Sequence, residues 1–282
     1  MESDTTNSGD AKPDTWPLVD AAGARHQPAG PDPRIVSLVP SLTEPLFELG
    51  LGARLVGRTH YCVHPRGEVE KVTSVGGTKK VKLDRLRALG PSHVIVNVDE
   101  NSREQVDEIA GFVPHVIVTH PLVPADNIAL YRLIGGLFGR DEAAARLCRD
   151  FTAARAALEE RARALPRRRV LYLVWKEPWM TVSRDTYLSR TLALANWETV
   201  AHDPGLRYPV VEIGAELLAA TDLVLFPSEP YAFTDADIEA FGAAHPGGPR
   251  LSAIDGEMVS WYGSRAIEGL GYLGELAAGL RR

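Results

Sequence analysis

Short β-branched runs alternate along this chain with stretches whose apolar residues recur every three or four positions. The longest helical pattern covers residues 141–165. There Leu147, Phe151, Ala154, Leu158, Ala162 and Leu165 fall on one face, and most other residues are Ala, Arg and Glu, good helix formers. Gly139 precedes the stretch, Asp141 can cap its first turn, and Pro166 stops it. At ~1.5 Å per residue the helix would span roughly 37 Å, about the width of a small domain.

Before this helix, residues 35–39 read as a buried strand ended by Pro40. Ser41 and Glu44 fit a capping box opening a helix through Leu49. Residues 55–57, 93–97 and 116–118 are further strands. Leu83, Leu86 and Leu89 line one helix, Val106 and Ile109 mark another, and Asp126 or Asn127 caps one carrying Leu130, Leu133 and Leu137. After it, residues 170–174, 179–182, 223–226 and 251–254 read as strands. Residues 187–195 (capped by Asp185 or Thr186), 212–220, 235–244 and a closing segment from about Ser264 read as helices, the last with Ile267, Leu270, Leu273 and Leu276 inward.

Strands alternating with helices over short connections predict parallel sheets covered by helices. The expected fold class is α/β, with two lobes, each a mainly parallel sheet with flanking helices, bridged by the long helix. The expected organisation is a disordered or loosely attached segment (1–33), an N-terminal lobe (34–138), the bridging helix (139–166) and a C-terminal lobe (167–282).

A net charge of −6 excludes a nucleic-acid binder resting on bulk positive charge. Two cysteines, Cys62 and Cys148, make no disulfide framework, and Cys148 reads as an inert, semi-buried thiol. No apolar run is long enough to insert in a membrane. The acidic, Pro-rich start has neither the basic opening nor the apolar run of a secretory signal, so the chain as written is expected to be cytoplasmic.

In open α/β sheets ligands sit off the carboxyl ends of the strands. The loops at those ends carry Tyr61, Trp175, Trp179, Tyr231, Trp261 and Tyr262, and Tyr208 lies in a further loop. Rings in loops either cover core edges or face a ligand; a cleft lined with them suits a large planar or ring-shaped molecule. His60, Cys62 and His64 alternate along one segment and invite a metal, with His120 as a further donor, although three such residues rarely converge on one ion. Asp99, Glu100, Asp255 and Glu257 offer an acid/base pair between the lobes, though loop carboxylates more often cap helices. Nucleophile-elbow, zincin and Walker motifs are absent, and Gly76-Gly77-Thr78-Lys79 reads as a plain turn.

The opening RIVSLVPSLTEPLFELGLGARLVGRTHYCVHP resembles that of the cobalamin- and siderophore-binding proteins of ABC importers, the helical-backbone (class III) substrate-binding proteins. Pro40-Ser41-Leu42-Thr43-Glu44, Leu55-Val56-Gly57, and His60-Tyr61 up to Pro65 carry the likeness. LDRLRALGPSHVIVN, NSREQVD, Arg207-Tyr208-Pro209 and the segment from Ser260 to Arg265 continue it. The resemblance implies two α/β lobes joined by one long helix, and a corrinoid or ferric siderophore held between them for an ABC permease. It implies a monomer, with no catalysis and no catalytic cofactor. Tyr61, Trp175, Trp179, Tyr208, Trp261 and Tyr262 would face the ligand. Glu104 would dock the permease, with Glu229, Asp235 or Asp237 as its second-lobe counterpart. Asp99-Glu100-Asn101, Ser228-Glu229-Pro230 and Asp255-Gly256-Glu257 lie outside the resemblance. A metal-ion-binding protein or a cytoplasmic enzyme on the same scaffold are the alternatives.

Overall fold

The computed structural model describes residues 17–200 and 205–280. In the first lobe, β1 (Ile35–Ser37), β2 (Leu55–Arg58), β3 (His93–Asn97) and β4 (His115–Thr119) form one parallel sheet in the order β2-β1-β3-β4. Strand β3 lies inside the sheet and is buried along its whole length, which is why HVIVN reads as a nearly continuous apolar run. Side chains alternate across the sheet. Ile35, Ile95 and Ile117 join one core with α1 (Pro40–Glu48) and α4 (Asp126–Leu137). Val36, Val94 and Val96 join another with α2 (Leu83–Ala88) and α3 (Arg103–Ala110).

The expected capping box on α1 does not form. Pro40 occupies the first turn, Val39 is the cap residue without a side-chain bond, and Glu44 binds Arg265 instead. Residues 17–33, expected to be loosely attached, pack on the first lobe; residues 1–16 of that expectation lie outside the described residues. The buried Asp20 carboxylate accepts from the backbone N–H groups of Ala22, Ala24 and Val118 and pairs with His26. The amide of Ala21 donates to Val118, so the strap covers the outer edge of β4.

The long helix, α5 (Asp141–Ala162), runs unbroken for 22 residues, ~33 Å at the usual rise. It packs on α4 and on α10 (Arg265–Gly279), burying Ala144, Leu147, Phe151, Leu158 and Ala162. A Cβ on Gly135 would fall 2.4 Å from that of Ala144, so only glycine lets α4 approach this closely. Helix α5 ends three residues before its apolar pattern does. The Asn196 amide donates to the carbonyls of Ala162 and Leu165 and closes the last turn.

In the second lobe, β5 (Arg168–Trp175), β8 (Leu223–Pro227) and β9 (Arg250–Ile254) are parallel neighbours. The other edge of β5 is shared by β7 (Trp197–Thr199), parallel, and β6 (Met180–Thr181), antiparallel. Strand β7 was not expected; its three residues are too few to show a period, and the buried Trp197 anchors it. Helices α6 (Tyr187–Ala193), α7 (Ala215–Ala219), α8 (Asp235–Ala244) and α9 (Gly256–Ser260) complete the lobe. Thr186 caps α6, and Thr234 with Asp237 forms a capping box on α8. Among the described residues no helix is long and apolar enough to cross a membrane.

Candidate ligand-binding cleft

The carboxyl ends of both parallel sheets carry the loops between the lobes, and those loops divide into a floor and two rims. The floor is built by Trp261, Tyr262 and Gly263, between α9 and α10. Gly263 has φ of 83°, and a Cβ there would sit 2.4 Å from the Ser41 carbonyl of α1. Its N–H donates to Asn127 Oδ1 (2.7 Å), and its carbonyl accepts from Tyr131 OH (2.9 Å). The segment is thus pinned onto the first lobe.

Polar pairs cross the floor. The Arg265 guanidinium grips Glu44 through both nitrogens (2.7 and 3.0 Å), and His64 Nε2 meets Glu257 Oε2 at 2.8 Å. Tyr262 OH donates to Glu100, and Arg207 donates to Asp99. Within the second lobe, Trp261 Nε1 donates to Glu229 Oε1 (2.6 Å), while its ring lies edge-on to His64 and beneath the Arg265 guanidinium. Trp261 and Tyr262 are both buried.

Two floor carboxyls stand well away from ordinary behaviour. Burial pushes Glu100 up to about 7, opposed by the Tyr262 hydrogen bond and reinforced by the nearby Glu229. Burial likewise pushes Glu229 up to about 7, opposed by Trp261 and reinforced by Glu257. Tyr262 keeps its proton and remains a donor, its pKa raised by burial and by Glu100.

The rims are apolar and open. Tyr61 is 55% exposed, Trp175 42% and Tyr208 47%. Val63, Val98 and Leu122 extend the first-lobe rim, and Leu206 and Val210 the second. The His60 and Tyr61 rings lie 4.1 Å apart, tilted by 50°, and Tyr231 meets Trp175 edge-on at 5.5 Å. Trp179 is different. It stacks on Phe233 and meets Phe241 edge-on, within the core of the second lobe.

The proposed metal triplet does not converge. Cys62 is buried, with its sulfur bonded to the hydroxyls of Thr43 and Thr59, His64 is taken by Glu257, and His60 by Tyr61. No group of three potential metal ligands occurs among the described residues. His120 lies 3.6 Å from Asp99 and within hydrogen-bond reach of Arg207 (3.3 Å). The carboxylates considered as an acid/base pair have separate partners: Asp255 caps α9, and Asp99, Glu100 and Glu257 bind Arg207, Tyr262 and His64.

The floor partnerships were not foreseen. Glu44 and Arg265 are far apart in the chain, and no local pattern pairs them. Two surface hollows lie elsewhere. One of about 230 Å³ adjoins Cys148 between α4 and α5, and one of about 540 Å³ runs beside β2.

Residues 35–229 match the family described as Periplasmic binding protein. Over 210 residues the chain is 28% identical to the vitamin B12-binding protein of Vibrio parahaemolyticus, covering 73% of this chain and 74% of that protein. It is 25% identical over 255 residues to an uncharacterised ABC transporter substrate-binding lipoprotein of Bacillus subtilis, covering 86% and 79%. The fold matches that of a periplasmic haem-binding protein from Roseiflexus sp. RS-1, with a TM-score of 0.74 at 23% identity, covering 89% of this chain and 100% of that one. These findings overturn the expectation of a cytoplasmic chain: the family is one of periplasmic binding proteins, and the Bacillus relative is a lipoprotein. With a matched segment covering more than half its length and two α/β lobes bridged by one long helix, this chain belongs to the periplasmic binding protein family, as a helical-backbone substrate-binding protein of ABC importers.

Proposed function

We propose that this protein holds a large ring-shaped metal chelate, a corrinoid, a haem or a ferric siderophore, between its two rims and delivers it to an ABC permease. The observation that carries this reading is the placement of exposed apolar side chains. Of the nine large hydrophobic residues exposed among those described, all but Val19 belong to the two rims. Such a concentration of open apolar surface marks a binding site. Relatives and structural neighbours that bind vitamin B12 or haem support this choice of ligands, which would be cargo and not catalytic cofactors.

The rim residues Tyr61, Trp175 and Tyr208 make the main ligand contacts, with Tyr231 supporting Trp175. Trp261 and Tyr262 shape the floor beneath them. Glu104, exposed in the first turn of α3, docks the permease on one lobe. Asp235 takes that role on the other. It is exposed in the first turn of α8, whereas Glu229 is held by Trp261 and Asp237 by Lys176. The two helices occupy equivalent places, each following an interior parallel strand, β3 or β8.

Titration with cyanocobalamin, iron(III) protoporphyrin IX and a ferric siderophore, followed by tryptophan fluorescence, tests the reading. At least one ligand should quench saturably below about 10 μM, near −7 kcal/mol of binding free energy. Absence of quenching and of any melting shift with all three would overturn it.

A further inference from the structure

Asp99-Glu100-Asn101, Ser228-Glu229-Pro230 and Asp255-Gly256-Glu257 meet on the cleft floor. Glu100 follows β3 and Glu229 follows β8, the interior strands of the two sheets. Each is bonded to one of two consecutive rings, Tyr262 and Trp261. The two carboxyls therefore face one short segment from opposite lobes; Glu229 is near enough to help raise the pKa of Glu100, and Glu257 and Asp255 help raise that of Glu229.

The cations beside them are already engaged. Arg265 is on Glu44, Arg207 on Asp99, Lys176 on Asp237, and the Lys79 ammonium donates to the Asp99 carbonyl. A ligand carboxylate entering here would gain no unspent carboxylate-binding pair and would meet Glu100, Glu229 and Glu257. Like charges in a partly buried site repel strongly and discriminate between ligands of similar shape. An uncharged amide avoids that repulsion. Its N–H groups can donate to a floor carboxylate.

We infer that Glu100 and Glu229 set the charge the cleft accepts: a ring chelate with an uncharged, amide-bearing periphery is admitted, and the same ring bearing carboxylates is rejected. This rests on the cleft being the ligand site, and it adds a charge rule to the shape rule set by the rims.

Two matched pairs of probes test it at about pH 8, where both carboxyls are mostly ionised. One pair is cyanocobalamin and its monocarboxylic acid, made by hydrolysing one peripheral amide. The other is iron(III) protoporphyrin IX and its dimethyl ester. For whichever ring binds, the member without the peripheral carboxylate should bind at least about tenfold tighter, a difference of ~1.4 kcal/mol. In Glu100→Gln and Glu229→Gln, which keep an acceptor for Tyr262 and Trp261, that gap should narrow, with melting curves reporting that the variants are folded.

Equal or tighter binding of the acid by the wild-type protein would overturn the charge rule while leaving the cleft reading intact. An unchanged gap in both folded variants would overturn the assignment to Glu100 and Glu229; if neither variant folds, the wild-type comparison of the matched pairs alone decides. Failure of both rings to bind in any form would sink the charge rule, and failure of a ferric siderophore as well would sink the cleft reading.

Discussion

The rings of the rims and the rings of the floor are chemically alike and have opposite surroundings. Trp261 and Tyr262 are buried, their polar atoms bonded to Glu229 and Glu100, and they help tie the lobes together. Tyr61, Trp175 and Tyr208 stand about half open to solvent. Of these two sets of rings, the floor pair therefore adds to folding stability, and the rims hold unspent apolar surface. A ring whose contacts are already complete contributes to the fold; a ring kept open contributes only when something else covers it.

The largest break in this comparison should come from truncating the floor. Tyr262→Ala and Trp261→Ala should each lower unfolding free energy by about 3–5 kcal/mol, as for other buried aromatic deletions. Trp175→Ala should change it by less than about 0.5 kcal/mol. Urea denaturation measures both, and equal losses at floor and rim would contradict the division.

Next is the cross-lobe ion pair. Both partners are largely buried, with side-chain exposures of 10% for Arg265 and 16% for Glu44. Arg265→Ala should cost about 3 kcal/mol, because it leaves Glu44 buried without its guanidinium. Glu44 already sits above the usual carboxylate range because burial outweighs Arg265. A loss below about 1 kcal/mol would show that the pair is exposed to water in solution.

The pH dependence sharpens the contrast further. Glu100 and Glu229 have folded pKa values raised to about 7 from about 4.5. Their stabilising contribution is full below the unfolded pKa and is lost as pH rises through the folded value. Relative to wild type, Glu229→Gln should therefore gain stability between about pH 5 and 8, by on the order of 1–2 kcal/mol. His93 acts in the opposite sense. Burial and then His115 lower it to about 4, so its contribution is lost as pH falls below about 6.5, and the comparison must be between variant and wild type. A flat difference across that range would contradict the described burial of Glu229.

The smallest expected effect in free energy is on the rim. Trp175→Ala or Tyr208→Ala should weaken ring-ligand binding about tenfold, ~1.4 kcal/mol each, with the melting temperature unchanged. Docking offers a control: Glu104→Lys with Asp235→Lys should leave ligand affinity intact and reduce ligand uptake through the permease in membrane vesicles.

Much of the fold could be read from the chain because its cores are built from local periods. His93–Asn97, Leu223–Pro227 and Asp235–Ala244 are elements whose apolar or capping pattern is complete within themselves. Two short elements went unread, although others as short, β6 and α7, fall within expected segments. Strand β7 has three residues and α9 has five, the latter started by Asp255 accepting from the Met258 N–H. The order of the strap at residues 17–33 was not legible because it depends on one side chain, Asp20, which folds the strap on itself through Ala22, Ala24 and His26 and ties it to Val118 of β4.

The site was legible to a different degree. Positions after parallel strands located the loops, and the open rings in them, without any partner being known. Which rings are open and which are buried was not legible. It depends on Glu229, Glu100 and Arg265 arriving from distant parts of the chain, and no periodicity encodes such pairs. Trp179 shows the same point, for it belongs to the second-lobe core through Phe233 and Phe241.

Binding by the rims is tested most directly by titrating wild type and the double variant Trp175→Ala, Tyr208→Ala side by side with cyanocobalamin and with iron(III) protoporphyrin IX, monitored by ligand absorbance. The wild type should bind one of them saturably, and the double variant, with an unchanged melting temperature, should bind it roughly a hundredfold more weakly if the two effects add. Equal affinity in the two proteins, or no binding by the wild type, would contradict it.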